Sequence, residues 1–200
     1  MKKTIIVATR NAHKAQEIAA ILPDGYEVRT LADYPEAPEV EETADTFAGN
    51  AALKSCGISA LLPGMVLADD SGLCVDALGG APGVYSARYG GEGLDDKGRY
   101  ELLLKNMVGV ENRNARFVSC IAVVFPNGDK ITAEGTCEGS VMHAPAGDGG
   151  FGYDPIFFCE SFGKSMAELT HEEKNSISHR GNALRKFAPL LREYLEKEDR

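Results

Sequence analysis

The chain has 200 residues, enough for one compact domain, or one domain in two lobes, whose apolar core needs no disulfide or structural metal. With 44% hydrophobic and 26% charged residues, its composition is that of a globular protein and excludes disordered and fibrous classes. A formal net charge of −9 argues against a nucleic-acid surface, which needs clustered Lys and Arg; a small polyanion is still admissible if a few basic residues and a metal ion converge on it.

Lys2-Lys3 followed by Thr4 to Ala8 briefly imitates a leader, but the apolar run stops at Arg10 and reads as a first, buried strand, Ile5 to Ala8. Ala15, Ile18, Ala19 and Leu22 lie at helical spacing within Ala12 to Leu22, and Pro23-Asp24-Gly25 ends that helix. Tyr26 to Thr30 reads as a second strand, and the acidic, Pro-rich stretch 33–43 as a loop. A helix follows from an N-cap at Asp45 to Leu62, closed by Pro63-Gly64. Met65 to Ala68 is another buried strand, running into Asp69-Asp70-Ser71-Gly72. After the loop Gly79-Gly80-Ala81-Pro82-Gly83 comes a helix over Asp95 to Met107. Ala115 to Phe125 is strand, with Phe117, Ser119, Ile121, Val123 and Phe125 on one face. Asn127-Gly128 is a hairpin turn into a strand from about Lys130 to Cys137.

The glycine-rich loop Gly147 to Gly152 precedes a short strand, Ile156 to Phe158. Helices then cover Ser165 to about Lys174 and Asn182 to Lys197, with Pro189 expected to kink or interrupt the last. The pattern predicts an α/β fold: a mixed β-sheet with flanking helices, as two lobes sharing a cleft, within a single domain over residues 1–200. The five dispersed cysteines have no CxxC spacing, so buried free thiols in a reducing cytoplasm are expected. No stretch approaches the ~20 apolar residues that span a bilayer, so no membrane partner is expected.

Five constellations carry chemistry. Thr9-Arg10-Asn11-Ala12-His13-Lys14 stands where a strand meets a helix N-terminus, a natural anion site, although a capped helix start explains it equally well. Asn50 and Lys54 share one helix face, behind the acidic Glu41-Glu42. Asp69-Asp70-Ser71-Gly72 suits a Mg²⁺ held by one or two carboxylates plus substrate phosphates; an Asx turn is an even alternative. On a strand the two carboxylates point to opposite faces, unless the chain turns at Gly72. Phe151-Gly152-Tyr153-Asp154 offers aromatics flanked by glycine for a planar ligand, or a structural loop. Last come Lys174 and Ser178-His179-Arg180-Gly181, with Ser178 as a helix cap.

In order, these blocks resemble the non-canonical purine nucleoside triphosphate pyrophosphatases, the inosine/xanthosine triphosphate pyrophosphatase family. The resemblance rests on Thr9-x-Asn11-x-x-Lys14, Glu42-Thr43 with Asn50-Ala51-x-x-Lys54, Ala68 to Leu73, Gly79 to Tyr89, Gly149 to Phe157 and Ser178 to Gly181. It implies a homodimer of two-lobed α/β subunits with the nucleotide in the cleft. It implies a triphosphate held by Thr9, Arg10, Asn11, Ala12, His13, Lys14, Lys54 and Lys174, and Mg²⁺ held by Glu42 and Asp70, with Asp70 catalytic. Ser71, Phe151, Gly152, Tyr153, Asp154, His179 and Arg180 are then the remaining nucleotide contacts, the last two beside the purine. The implied reaction releases pyrophosphate from purine triphosphates such as ITP and XTP. The alternatives are a septum-inhibitor-like pyrophosphatase of other base specificity and a non-catalytic nucleotide sensor. Family members often carry an acidic residue where this chain has Gly49, and Asp45 is expected to take over part of its role.

Overall fold

The computed structural model describes residues 3–22, 25–91 and 93–198. Lys2, Pro23 and Asp24, to which the leader-like start and the end of the first helix were assigned, lie outside the described residues. Among the described residues, seven strands form one sheet in the order β2-β1-β3-β4-β5-β6-β7. They are β1 (Lys3–Val7), β2 (Tyr26–Thr30), β3 (Met65–Val75), β4 (Asn114–Val124), β5 (Lys130–Val141), β6 (Phe157–Cys159) and β7 (Lys164–Ser165). β1 runs parallel to both β2 and β3, whereas β5, β6 and β7 are antiparallel, so the sheet is mixed as expected. The helices are α1 (Ala12–Ile21), α2 (Phe47–Ser59), α3 (Asp96–Asn106), α4 (His171–Ile177) and α5 (His179–Glu198). Among the described residues, no helix is long and apolar enough to cross a membrane.

The chain divides into two compact units. The first comprises Met1–Asp70, Ser119–Gly135 and His179–Arg200; the second, Ser71–Val118 and Thr136–Ser178. In the first, Ile5, Val7, Leu67, Ile121 and Val123 pack with Phe187 and Leu191 of α5, while Ile6, Val66 and Ala68 meet Ile58 of α2. Buried strands covered on both faces explain why these stretches read as apolar runs rather than as alternations. Gly135 lets α5 close on β5: a Cβ there would stand 2.2 Å from the Ala183 nitrogen and 2.3 Å from the His179 carbonyl oxygen. The second unit has its own core, built on Leu73, Leu103, Phe117, Tyr153, Phe157 and Met166.

Several boundaries differ from the expected ones. β3 does not turn at Gly72 but continues to Val75, so the Asx-turn reading fails. The N-cap of α2 is Thr46, whose side chain accepts from the Gly49 amide, and Asp45 is merely exposed. The stretch 165–174 is not one helix: a 3-10 turn, Met166–Glu168, is followed by α4, each with its own capping box. Ser178 is the C-cap of α4, and α5 starts immediately after it and runs uninterrupted through Pro189.

Candidate active site

β3 is the spine of the first unit's polar cluster. Because side chains alternate along a strand, Asp69 and Asp70 leave it on opposite faces. Asp69, only 4% exposed, meets Lys14 Nζ at 2.9 Å and Arg180 Nη2 at 3.1 Å through Oδ2. Its Oδ1 accepts from Ser119 Oγ at 2.6 Å. The other terminal nitrogen of Arg180 pairs with Glu17. Two cations thus face two carboxylates, as buried charge requires. Burial alone would raise the Asp69 carboxyl, but Arg180 and Lys14, helped by Ser119, hold it well below the usual carboxylate range.

Asp70 is treated differently. Lys54 Nζ stands 3.5 Å from its Oδ1, 3.0 Å from Glu42 Oε1 and 2.8 Å from the Asp69 carbonyl oxygen, to which it donates. Asp70 Oδ2 is buried and has no hydrogen-bond partner among the described residues. Burial pushes the Asp70 carboxyl up; Lys54 opposes the rise, Glu42 adds to it, and Lys14 and the Asn50 amide oppose it, leaving it raised. The result is a carboxylate with more than ordinary proton affinity, the condition a general base needs.

The same oxygens fit a hard divalent cation. Glu42 Oε1, Asp70 Oδ1 and the Asp69 carbonyl already gather around one cationic group, the Lys54 ammonium. Among the described residues no three His, Cys, Asp or Glu side chains converge. Two carboxylates with places left over suit Mg²⁺, which keeps waters and takes phosphate oxygens.

The first turn of α1 is a capped helix start. Asn11 Oδ1 accepts from the His13 amide at 3.0 Å and the Lys14 amide at 3.2 Å, and Thr9 Oγ1 accepts from the Asn11 amide at 3.1 Å. Two amides expected to face an anion are therefore taken by Asn11. Arg10 reaches sideways to the Ala37 carbonyl, 2.7 Å away, and Ala12 and His13 are exposed. Lys14, through Asp69, joins this stretch to the carboxylates.

Ser71, Phe151, Gly152, Tyr153, Asp154 and Lys174 belong to the second unit. Lys174 Nζ and Asp154 Oδ2 form a buried pair at 2.7 Å, with the Phe151 amide on the same oxygen at 2.9 Å. The Lys174 ammonium stands 4.8 Å from the Phe151 ring centroid, a cation–π arrangement. Gly152 donates to Asp96 Oδ2 at 2.8 Å, and the buried Tyr153 hydroxyl donates to the Ser86 carbonyl at 2.8 Å. The neighbouring glycines make room for the protein itself. A Cβ on Gly150 would lie 2.1 Å from Asp154 Oδ2, and one on Gly149 would lie 2.7 Å from the Ala167 carbonyl oxygen. Ser71 is half-buried on β3.

Arg180, expected beside the purine, is 1% exposed with both terminal nitrogens on carboxylates. Its immediate task is to tie α5 to β3 and α1; His179 beside it is 5% exposed. Sequence reasoning did not single out Glu17 or assign Ser119 a task. Ser119 had a signal, a hydroxyl in an otherwise apolar stripe. Glu17 had none, because its partner lies 163 residues away.

The sequence profile of the Ham1 family matches residues 5–190. A dITP/XTP pyrophosphatase of Geobacillus kaustophilus is 52% identical over 188 residues, 92% of each chain. One from Bacillus anthracis is 49% identical, over 96% of this chain and 98% of its own. Among solved structures, the Staphylococcus aureus Ham1 protein superposes with a TM-score of 0.84 at 41% identity, over 98% of this chain and all of its own. A HAM1 protein from Coxiella burnetii gives 0.85 at 36% identity, over 96% and 100%.

Proposed function

The chain belongs to the Ham1 family, and from that premise we propose that it hydrolyses non-canonical purine nucleoside triphosphates, ITP, dITP, XTP and dXTP, to the monophosphate and pyrophosphate. The carrying observation is the Lys54 ammonium gathered between Glu42, Asp70 and the Asp69 carbonyl, a preformed place for positive charge and phosphate.

Glu42 and Asp70 would hold Mg²⁺, which when bound supplies charge neutralisation on the phosphate oxygens. Asp70 orients the attacking water at the α-phosphorus and takes its proton. Lys54 and Lys14 stabilise the charge that develops on the departing pyrophosphate. Lys14 holds its place through Asp69, which is itself fixed by Ser119 and Arg180. Phe151, Gly152, Tyr153, Asp154 and Lys174, with Ser71 and His179, keep nucleotide binding as their proposed role. Selection against adenine rests on donors that match a 6-oxo acceptor and confront the 6-amino group of adenine donor to donor. The reading extends to a single pyrophosphatase domain over residues 1–200, supported by a family match that runs through both units, and to a cytoplasmic homodimer.

The test is pyrophosphate release, in the absence of any inorganic pyrophosphatase, over a panel of inosine, xanthosine, adenosine, guanosine and pyrimidine triphosphates. Activity is expected to need Mg²⁺, to vanish with chelator and to favour inosine and xanthosine triphosphates. Orthophosphate as the first product would refute the proposal.

A further inference from the structure

Asn50 belongs to the carboxylate cluster in a way that neither its helix nor its charge explains. It lies on α2, one turn before Lys54 and on the same face. The residue is completely buried. Its Oδ1 accepts from the Ala44 amide at 2.9 Å, which pins the loop that carries Glu42 two residues earlier. Its Nδ2 is buried and has no hydrogen-bond partner among the described residues; the same holds for Asp70 Oδ2. Lys54, one turn further along the same face of α2, brings its Nζ to 3.5 Å from Asp70 Oδ1, so the two groups belong to one cluster. A buried donor and a buried acceptor, each without a hydrogen bond, are an expensive pair to leave apart.

We propose that Asn50 is a positioning residue that fixes the carboxylates of Glu42 and Asp70 relative to each other: Asn50 Oδ1 anchors the Glu42 loop, and Asn50 Nδ2 engages Asp70 Oδ2, so that Asp70 Oδ1 is the oxygen turned toward Lys54 and the cation. This inference rests on the pyrophosphatase reading and assigns a residue to the same centre. An amide suits the task because it carries an acceptor and a donor on one rigid plane. Aspartate at this position keeps the acceptor but sets an oxygen against Asp70, and leucine removes both contacts while keeping the branched shape.

The experiment compares Asn50→Asp and Asn50→Leu with the unmodified chain in three readouts: thermal stability, Mn²⁺ binding to the nucleotide-free protein by electron paramagnetic resonance, and kcat and KM for dITP with Mg²⁺. Asn50→Asp is expected to stay folded, because the Ala44 amide keeps its acceptor, while kcat falls about tenfold or more and KM changes by less than about threefold. Asn50→Leu is expected to bind Mn²⁺ about tenfold more weakly, because the carboxylates lose their relative placement. A loop-anchoring role alone would leave Asn50→Asp with the kcat of the unmodified chain, and that result overturns the proposal. If the unmodified chain releases no pyrophosphate from any triphosphate, the functional reading fails separately, and Mn²⁺ binding decides about Asn50. Unchanged Mn²⁺ affinity in a folded Asn50→Leu protein overturns the proposal. Should Asn50→Leu fail to fold, the kcat of Asn50→Asp decides.

Discussion

Asp69 and Asp70 are adjacent in the chain, but β3 sends one toward Lys14 and Arg180 and the other toward Lys54 and Glu42. Removing each charge should therefore act on a different quantity. Asp69→Asn strips the counter-charge from the buried Arg180 and the half-buried Lys14 and should cost about 3 kcal/mol of stability, lowering Tm by roughly 6–12 °C. Asp70→Asn removes a carboxylate that burial already disfavours, so Tm should hold or rise, while kcat falls about a hundredfold or more. Calorimetry and steady-state kinetics on both proteins check this; loss of folding in Asp70→Asn would contradict it. Arg180 is the sharpest difference between reading and structure. The resemblance puts it on the purine, and truncation should then shrink the preference for inosine over adenosine triphosphate. Its place across Glu17 and Asp69 predicts instead that Arg180→Ala loses about 3–5 kcal/mol of stability. All triphosphates should then weaken together, the ratio of their kcat/KM values staying within about threefold. Alternation made the opposed directions of Asp69 and Asp70 legible in advance. The identity of the group that meets each of them depends on long-range packing that no local pattern encodes.

At the scale of elements, α2 shows how a local rule is overridden by packing. Gly49 sits inside the first turn of a helix, where alanine is better by about 1 kcal/mol on propensity alone. A Cβ there would lie 2.6 Å from Ala44 Cβ and 2.9 Å from the capping hydroxyl of Thr46. Gly49→Ala should therefore destabilise by about 1–2 kcal/mol, because the crowding and the weakened cap outweigh the propensity gain. A rise in Tm would show that the loop yields instead. Most strands and helices were legible from β-branched runs, breakers and the Asn127-Gly128 turn. The failures were physical. β3 continues past Gly72 because its far half is buried in a second core around Leu73 and Val75, while the two-residue β7 is too short to carry any periodicity. The helix expected over 165–174 breaks because Thr170 caps a new one with Glu173.

The whole molecule is acidic, yet its clusters are locally balanced, so extremes of pH should unfold it through specific groups rather than through net charge alone. At the alkaline end the clearest is Cys120, buried on β4 with its thiol on Glu134 Oε2 at 3.2 Å. Burial, reinforced by Glu134, pushes that thiol up to about 12 from an ordinary 9. Between those values the folded chain holds a proton that the unfolded chain has released. The stabilising contribution is therefore complete below about pH 9 and is lost as pH rises toward 12. Denaturation midpoints for Cys120→Ala should fall less steeply over that window than those of the unmodified chain. In the native protein at pH 8, Cys120 should resist alkylation by iodoacetamide.

The first unit is assembled from three separate stretches of chain, and the last of them begins at His179. This gives the molecule an order of birth. Glu17, Glu42, Lys54, Asp69 and Asp70 have all been synthesised by residue 70, but the guanidinium that neutralises Asp69 and Glu17 follows Asp69 by 111 residues. At ordinary elongation rates that interval lasts about 5–20 s. Throughout it, Asp69 and Glu17 lack the guanidinium that meets both of them in the folded chain. Balance of these charges thus waits for α5, and a polypeptide that stops before Arg180 would carry nearly every motif of the family without the guanidinium that meets Asp69 and Glu17.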